Sequence, residues 1–116
     1  MRCVLVIDDS QSCRAAVRLA FESDTTQVIE AVDGEQGLLA AGPHAPDVIV
    51  MGMSLAVVHG ADLVRGLRIA APSAQIIVVS SEAVCPHAME AGADAVVTRP
   101  VCATTLRSIA RPRTAA

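Results

Sequence analysis

The chain has 116 residues, a formal net charge of −3, and 53% hydrophobic residues carried by Val, Ile, Leu and Ala, with Phe21 its only aromatic. That length suits one domain with a real core. A mildly acidic chain without aromatic platforms lacks both the electrostatic footprint and the stacking surface of a nucleic-acid module.

No apolar run approaches the roughly 18 residues needed to cross a bilayer. The N-terminus reads straight into a strand ended by Asp8 and Asp9, unlike a signal peptide. A cytoplasmic protein is expected. Cys3, Cys13, Cys85 and Cys102 show no CxxC spacing and read as small buried hydrophobes in a reducing compartment.

In chain order, residues 3–7 (CVLVI) form a strand-like apolar run that stops at Asp8-Asp9. Ser10 is placed to cap a helix whose Cys13, Ala16, Val17, Ala20 and Phe21 make one apolar stripe. A turn at residues 24–26 leads to a short strand over 27–32. Asp33-Gly34 turns into a short helix through Leu38 and Leu39, closed by Gly42-Pro43. Residues 48–51 (VIVM) are continuous, apolar and β-branched, as in a strand buried on both faces, and the run ends abruptly at Gly52.

A loop runs on to Gly60. Residues 61–71 read as a helix with Leu63, Val64, Leu67 and Ala70 inward, stopped by Pro72. Residues 75–79 (QIIVV) are a fourth strand ending at Ser80-Ser81. A weakly apolar helix over 87–91 is capped by Gly92. Residues 95–98 make a fifth strand, followed by Arg99-Pro100. Residues 102–110 make the last helix, with Leu106 and Ile109 inward, and the tail from about 111 is expected to fray.

Strands alternating with helices at this spacing mean βαβ units and a parallel sheet. The expected architecture is a flavodoxin-like (βα)5 doubly wound sheet of order 2-1-3-4-5, in one domain over residues 1–116. The carboxyl ends of parallel strands share one edge. Asp8, Asp9, Gly52, Ser80 and Arg99 therefore converge there: two carboxylates, a hydroxyl and a cation around a shallow pocket.

At these residues the chain resembles the response-regulator receiver domain, the phospho-acceptor module of two-component signalling. The matching pieces are VLVIDDS, AVDGEQGL, PDVIVMG, IIVVSS and AGADAVVTRP, in order and over essentially the full length. The resemblance implies that Asp8 and Asp9 match an acidic pair that helps hold Mg²⁺, and that Ser80 matches a switch hydroxyl. Four positions depart from the family pattern. Gly52 stands where the phosphorylated aspartate should be, Arg99 replaces a lysine, Val96 replaces an aromatic switch residue, and Ala56 replaces a loop proline. With one of three carboxylates missing, only a weakened Mg²⁺ site at Asp8 and Asp9 is expected. A bidentate pair between Arg99 and a carboxylate would compete for that pocket.

Ser54 and His59 read as ordinary loop residues, and His44 and His87 as surface residues. Arg107, Arg111 and Arg113 read as a solvated basic face. Gly34 and Gly60 are structural, permitting positive φ or tight packing. The leading functional reading is a non-enzymatic pseudo-receiver that signals by docking a protein partner, without aspartyl phosphorylation. The resemblance implies a docking face formed by the fourth helix, fifth strand and fifth helix: residues 87–91, Val96 and residues 103–111. There Ala88, Ala91, Ala103 and Ala110 would allow close approach, and a homodimer could form. The alternative is a phosphorelay receiver whose acceptor aspartate is substituted, restorable by Gly52→Asp. A flavin or small-ligand binder is disfavoured because no Trp or Tyr is present to sandwich a ring.

Overall fold

Three runs of Val, Ile, Leu and Met fix the centre of the fold. In the computed structural model, which describes residues 1–53, 60–82 and 85–110, they are β1 (Arg2–Ile7), β3 (Val48–Gly52) and β4 (Gln75–Ser80). Every residue of β3 and β4 is buried, as is every residue of β1 after Arg2. Between and around them lie α1 (Gln11–Phe21), β2 (Thr26–Ala31), α2 (Gly34–His44), α3 (Gly60–Ala70), α4 (Pro86–Ala91), β5 (Ala95–Thr98) and α5 (Ala103–Ile109). All strand pairs are parallel and the order is β2-β1-β3-β4-β5. This is the flavodoxin-like (βα)5 sheet expected from the sequence.

Alternate residues of a strand point to opposite faces, and the two cores follow that rule. Leu5, Ile7, Ile49, Met51, Ile76 and Val78 face Leu63, Val64 and Leu67 of α3, with Ala41 of α2 and Ala88 of α4. Val4, Val6, Val48, Val50, Ile77 and Val79 face Cys13, Val17 and Ala20 of α1 and Leu106 of α5. A continuous apolar run is thus what a strand with helices on both sides requires.

Local signals set the helix ends. The Ser10 hydroxyl accepts the Cys13 N–H at 3.3 Å and caps α1, and the Asp33 carboxylate accepts the Gln36 N–H at 2.8 Å and caps α2. Gly92, at φ +120°, closes α4. Gly60 opens α3 at φ +61°.

Several expectations need correction. α2 does not close at Gly42-Pro43. Pro43 lies within its last turn, and the helix ends at His44, capped by Ala45, whose N–H donates to the carbonyls of Ala41 and Gly42. Gly34 has no positive φ and is the buried first residue of α2. Only Cys3 and Cys13 are buried; Cys85 is half-buried, and Cys102, at the cap position of α5, is exposed. Ser54, Ala56, His59, Arg111 and Arg113 lie outside the described residues.

At the opposite edge from the expected pocket, Arg68 ties three segments together. Its guanidinium donates to the carbonyls of Pro72, Ala74 and Gly92 and to Asp94 Oδ2. Asp94 Oδ2 also accepts the Ile76 N–H at 2.8 Å, so the end of α3, the start of β4 and the cap of α4 share one polar knot. Among the described residues, no helix is long and apolar enough to cross a membrane.

Candidate functional site

Asp8 follows the last residue of β1 and is carried into the protein by that apolar strand. It is fully buried, and its N–H donates to the Ala31 carbonyl at 3.0 Å. Its two carboxylate oxygens have different partners. Oδ1 accepts the Ser10 N–H at 2.9 Å, and Oδ2 accepts Arg99 Nη2 at 2.8 Å. Arg99 arrives from the far end of the sheet, just past β5, where its N–H donates to the Ser80 carbonyl at 3.0 Å and its peptide bond to Pro100 is cis. The expected bidentate fork is therefore absent. One guanidinium nitrogen binds one carboxylate oxygen, because the α1 entry turn already holds the other.

Gly52 lies against the point where the two groups meet. A Cβ built on it would stand 3.0 Å from Asp8 Oδ2 and 3.1 Å from Arg99 Nη2. Any side chain there would press on both members of the pair. Cys13, one turn into α1, has its thiol beside the same carboxylate.

The electrostatics follow from this arrangement. Burial pushes the Asp8 carboxyl up, but the Ser10 N–H, the Arg99 guanidinium and the Cys13 thiol outweigh it, and the net position is below the ordinary carboxylate value. Burial and the neighbouring carboxylate push the Cys13 thiol up to about 12. Burial lowers the Arg99 value, but the hydrogen bond and charge of Asp8 raise it more, so the guanidinium stays charged. A cleft of about 400 Å³, lined by Ser10, Ser12, Cys13, Arg99, Pro100 and Val101, opens beside the pair.

The structure brings the side chains of Asp8 and Arg99 together against Gly52, and Ser80 joins them through its main chain, its carbonyl accepting the Arg99 N–H at 3.0 Å. Asp9 is exposed. Ser80 is buried, and its Oγ accepts the Glu82 N–H at 3.1 Å, a local turn bond. Val96 is half-buried and packs on the α3 side of the core. Sequence reasoning missed the part played by Cys13, which it placed only in the apolar stripe. The signal was its spacing, five residues after Asp8 on the sheet-facing side of α1. It also missed the Ser10 N–H, since a backbone donor leaves no mark in residue identity.

Mg²⁺ demands several oxygen ligands in a near-octahedral shell. Among the described residues, no group of three His, Cys, Asp or Glu side chains is placed to hold a metal. Both oxygens of Asp8 are engaged, position 52 supplies no carboxylate, and a guanidinium lies where positive charge would be required. The residues present do not fit a divalent cation.

Residues 4–111 match the family model of the response regulator receiver domain. The chain belongs to that family. The transcriptional regulatory protein KdpE of Mycobacterium tuberculosis is 36% identical over 102 residues, covering 86% of this chain and 45% of KdpE. KdpE of Escherichia coli K12 is 34% identical over 99 residues, covering 84% and 44%. This receiver thus spans less than half the length of those curated relatives. Among solved structures, the chemotaxis protein CheY4 of Vibrio cholerae superposes with a TM-score of 0.81 at 26% identity, over 93% of this chain and 94% of that one. The protein is a receiver domain of the two-component response-regulator kind, a signalling module of a class that works with protein partners.

Proposed function

We propose that this receiver signals by protein–protein docking without aspartyl phosphorylation, as a non-enzymatic pseudo-receiver forming one unit in the cytoplasm. The observation that carries this reading is Gly52. The strand end that faces the buried Asp8 has no carboxylate to form an acyl phosphate, and Arg99 is bonded to Asp8 instead. A receiver acts through phosphoryl-dependent rearrangement of its strand ends, and here those ends are joined by an ion pair present in the unmodified chain.

The surface we assign to docking is α4, β5 and α5. The small residues expected to line it are placed otherwise. Ala88 is fully buried, and Ala91, Ala103 and Ala110 pack partly buried against the two cores. The exposed residues of this face include His87, Met89, Glu90, Thr104, Thr105 and Arg107, with Ala91, Ala103 and Ala110 half-buried among them. A homodimer through the same face is part of the proposal.

Intact-mass measurement after treatment with a small-molecule phosphodonor tests the reading. The unaltered chain is expected to gain no phosphate, and a gain would overturn it. A phosphate acquired only by Gly52→Asp would favour the other reading, a phosphorelay receiver whose acceptor is substituted.

A further inference from the structure

Asp8 is the one charged residue buried among the described residues. Asp8 is buried completely, and its carboxylate is held by two donors, the Ser10 N–H at 2.9 Å and Arg99 Nη2 at 2.8 Å. A buried carboxylate needs a compensating positive charge. The other side chain at a neighbouring strand end, Gly52, contributes nothing. Asp9 is exposed, and the thiol of Cys13 stays protonated. Among the described residues Arg99 is the cation bonded to the Asp8 carboxylate, while Arg14 Nη1 donates to the Asp8 main-chain carbonyl at 2.8 Å, and a Cβ on residue 52 would lie beside the Asp8–Arg99 contact, 3.0 Å and 3.1 Å from its two atoms.

We infer that Asp8, Gly52 and Arg99 act as one unit, in which the tethered guanidinium takes the place of a divalent cation and makes this receiver independent of metal. The inference deepens the proposed function and rests on that reading of the site. The two unusual residues are mutually dependent. With glycine at 52, Asp8 Oδ2 and Arg99 Nη2 meet unhindered; a Cβ there would stand 3.0 Å and 3.1 Å from them and require one or both to shift by a few tenths of an ångström. With Arg99 in place, Asp8 Oδ2 is not free to ligate. The arrangement predicts that restoring a carboxylate alone would leave a poor metal site, because Arg99 would bridge the old and new carboxylates. Restoring the carboxylate and shortening the cation together would open one.

The test is Mn²⁺ titration of the ¹⁵N-labelled chain, read by paramagnetic broadening of amide signals around Asp8, Ser10 and Gly52. The unaltered protein is expected to show no site broadening at sub-millimolar Mn²⁺, and its thermal midpoint should not move with millimolar Mg²⁺. The G52D/R99K double variant should broaden at the site, and G52D alone should need several-fold more Mn²⁺. Site broadening in the unaltered chain would overturn the inference. So would a double variant that keeps a dispersed spectrum yet fails to broaden, since Gly52 and Arg99 would then not be what excludes metal. If the double variant does not fold, G52D alone serves: site broadening at sub-millimolar Mn²⁺ in a folded G52D that keeps Arg99 would overturn the inference, and its absence would support it. The readout is separate from phosphorylation. A phosphate found on some other residue of the unaltered chain would sink the proposed function while leaving the metal result standing.

Discussion

Asp8 and Arg99 are 91 residues apart in sequence and 2.8 Å apart in space. The carboxylate side chain is 1% exposed and the guanidinium side chain 38% exposed, so this pair lies between a buried salt bridge and a surface one. Removing Arg99 would leave the carboxylate buried with the Ser10 N–H and the Cys13 thiol but no cation bonded to it. Arg99→Ala should cost about 1–3 kcal/mol, less than a fully buried pair because water can enter from the exposed side. Urea unfolding followed by circular dichroism checks this.

The same pair sets a pH dependence. The Asp8 carboxyl lies lower in the folded chain than in the unfolded one, so it adds stability above the ordinary carboxylate value. That stability is lost as pH falls through the folded value. In Arg99→Ala the dominant remaining influence is burial, which raises the carboxyl, so acid unfolding should begin at higher pH than in the parent. An acid transition unmoved by the substitution would argue against the assigned partner.

Gly52→Ala tests the geometry without adding a charge. Its Cβ must push Asp8 Oδ2 and Arg99 Nη2 aside by a few tenths of an ångström. Because both substitutions act on one contact, Gly52→Ala and Arg99→Ala should be non-additive, with a coupling of about 0.5–3 kcal/mol in a double-mutant cycle.

Two glycines of α2 should respond in opposite directions. A Cβ on Gly37 would lie 2.4 Å from Cδ1 and 2.7 Å from Cγ1 of the fully buried Ile7, whereas one on Gly42 would meet nothing within 4 Å. Gly37→Ala should destabilise by about 1–3 kcal/mol through overpacking. Gly42→Ala should stabilise by about 0.5–1 kcal/mol through helix propensity. Thermal melts of the two variants give the signs directly.

The cysteines should separate by reactivity. Burial and Asp8 hold the Cys13 thiol up at about 12, whereas hydrogen bonds from the Thr105 and Thr104 backbone lower the exposed Cys102 thiol. Timed iodoacetamide labelling followed by peptide mass spectrometry should therefore modify Cys102 well before Cys13 and the buried Cys3.

Much of the fold was legible because the residues that build it act locally. VLVI, VIVM and IIVV are too uniformly apolar to have a wet face, and each ends at a residue that turns out to lie at the carboxyl edge. The caps at Ser10, Asp33 and Gly92 were equally local. What escaped depends on orientation after a strand stops. Asp8 and Asp9 are chemically identical, and only the exit of β1 decides that the first is buried and the second is not. Ala88 sits in a six-residue helix too short for a reliable stripe, so its burial against α3 could not be read. The meeting of Gly52, Asp8 and Arg99 was expected from the shared carboxyl edge; the division of the Asp8 oxygens between the Ser10 N–H and a single Arg99 nitrogen was not, because it depends on how three segments sit in register.

Because Arg99 belongs to the polypeptide, its charge is synthesised in fixed ratio with the carboxylate it serves. Chelators, dialysis or a fall in cellular magnesium would leave that balance intact.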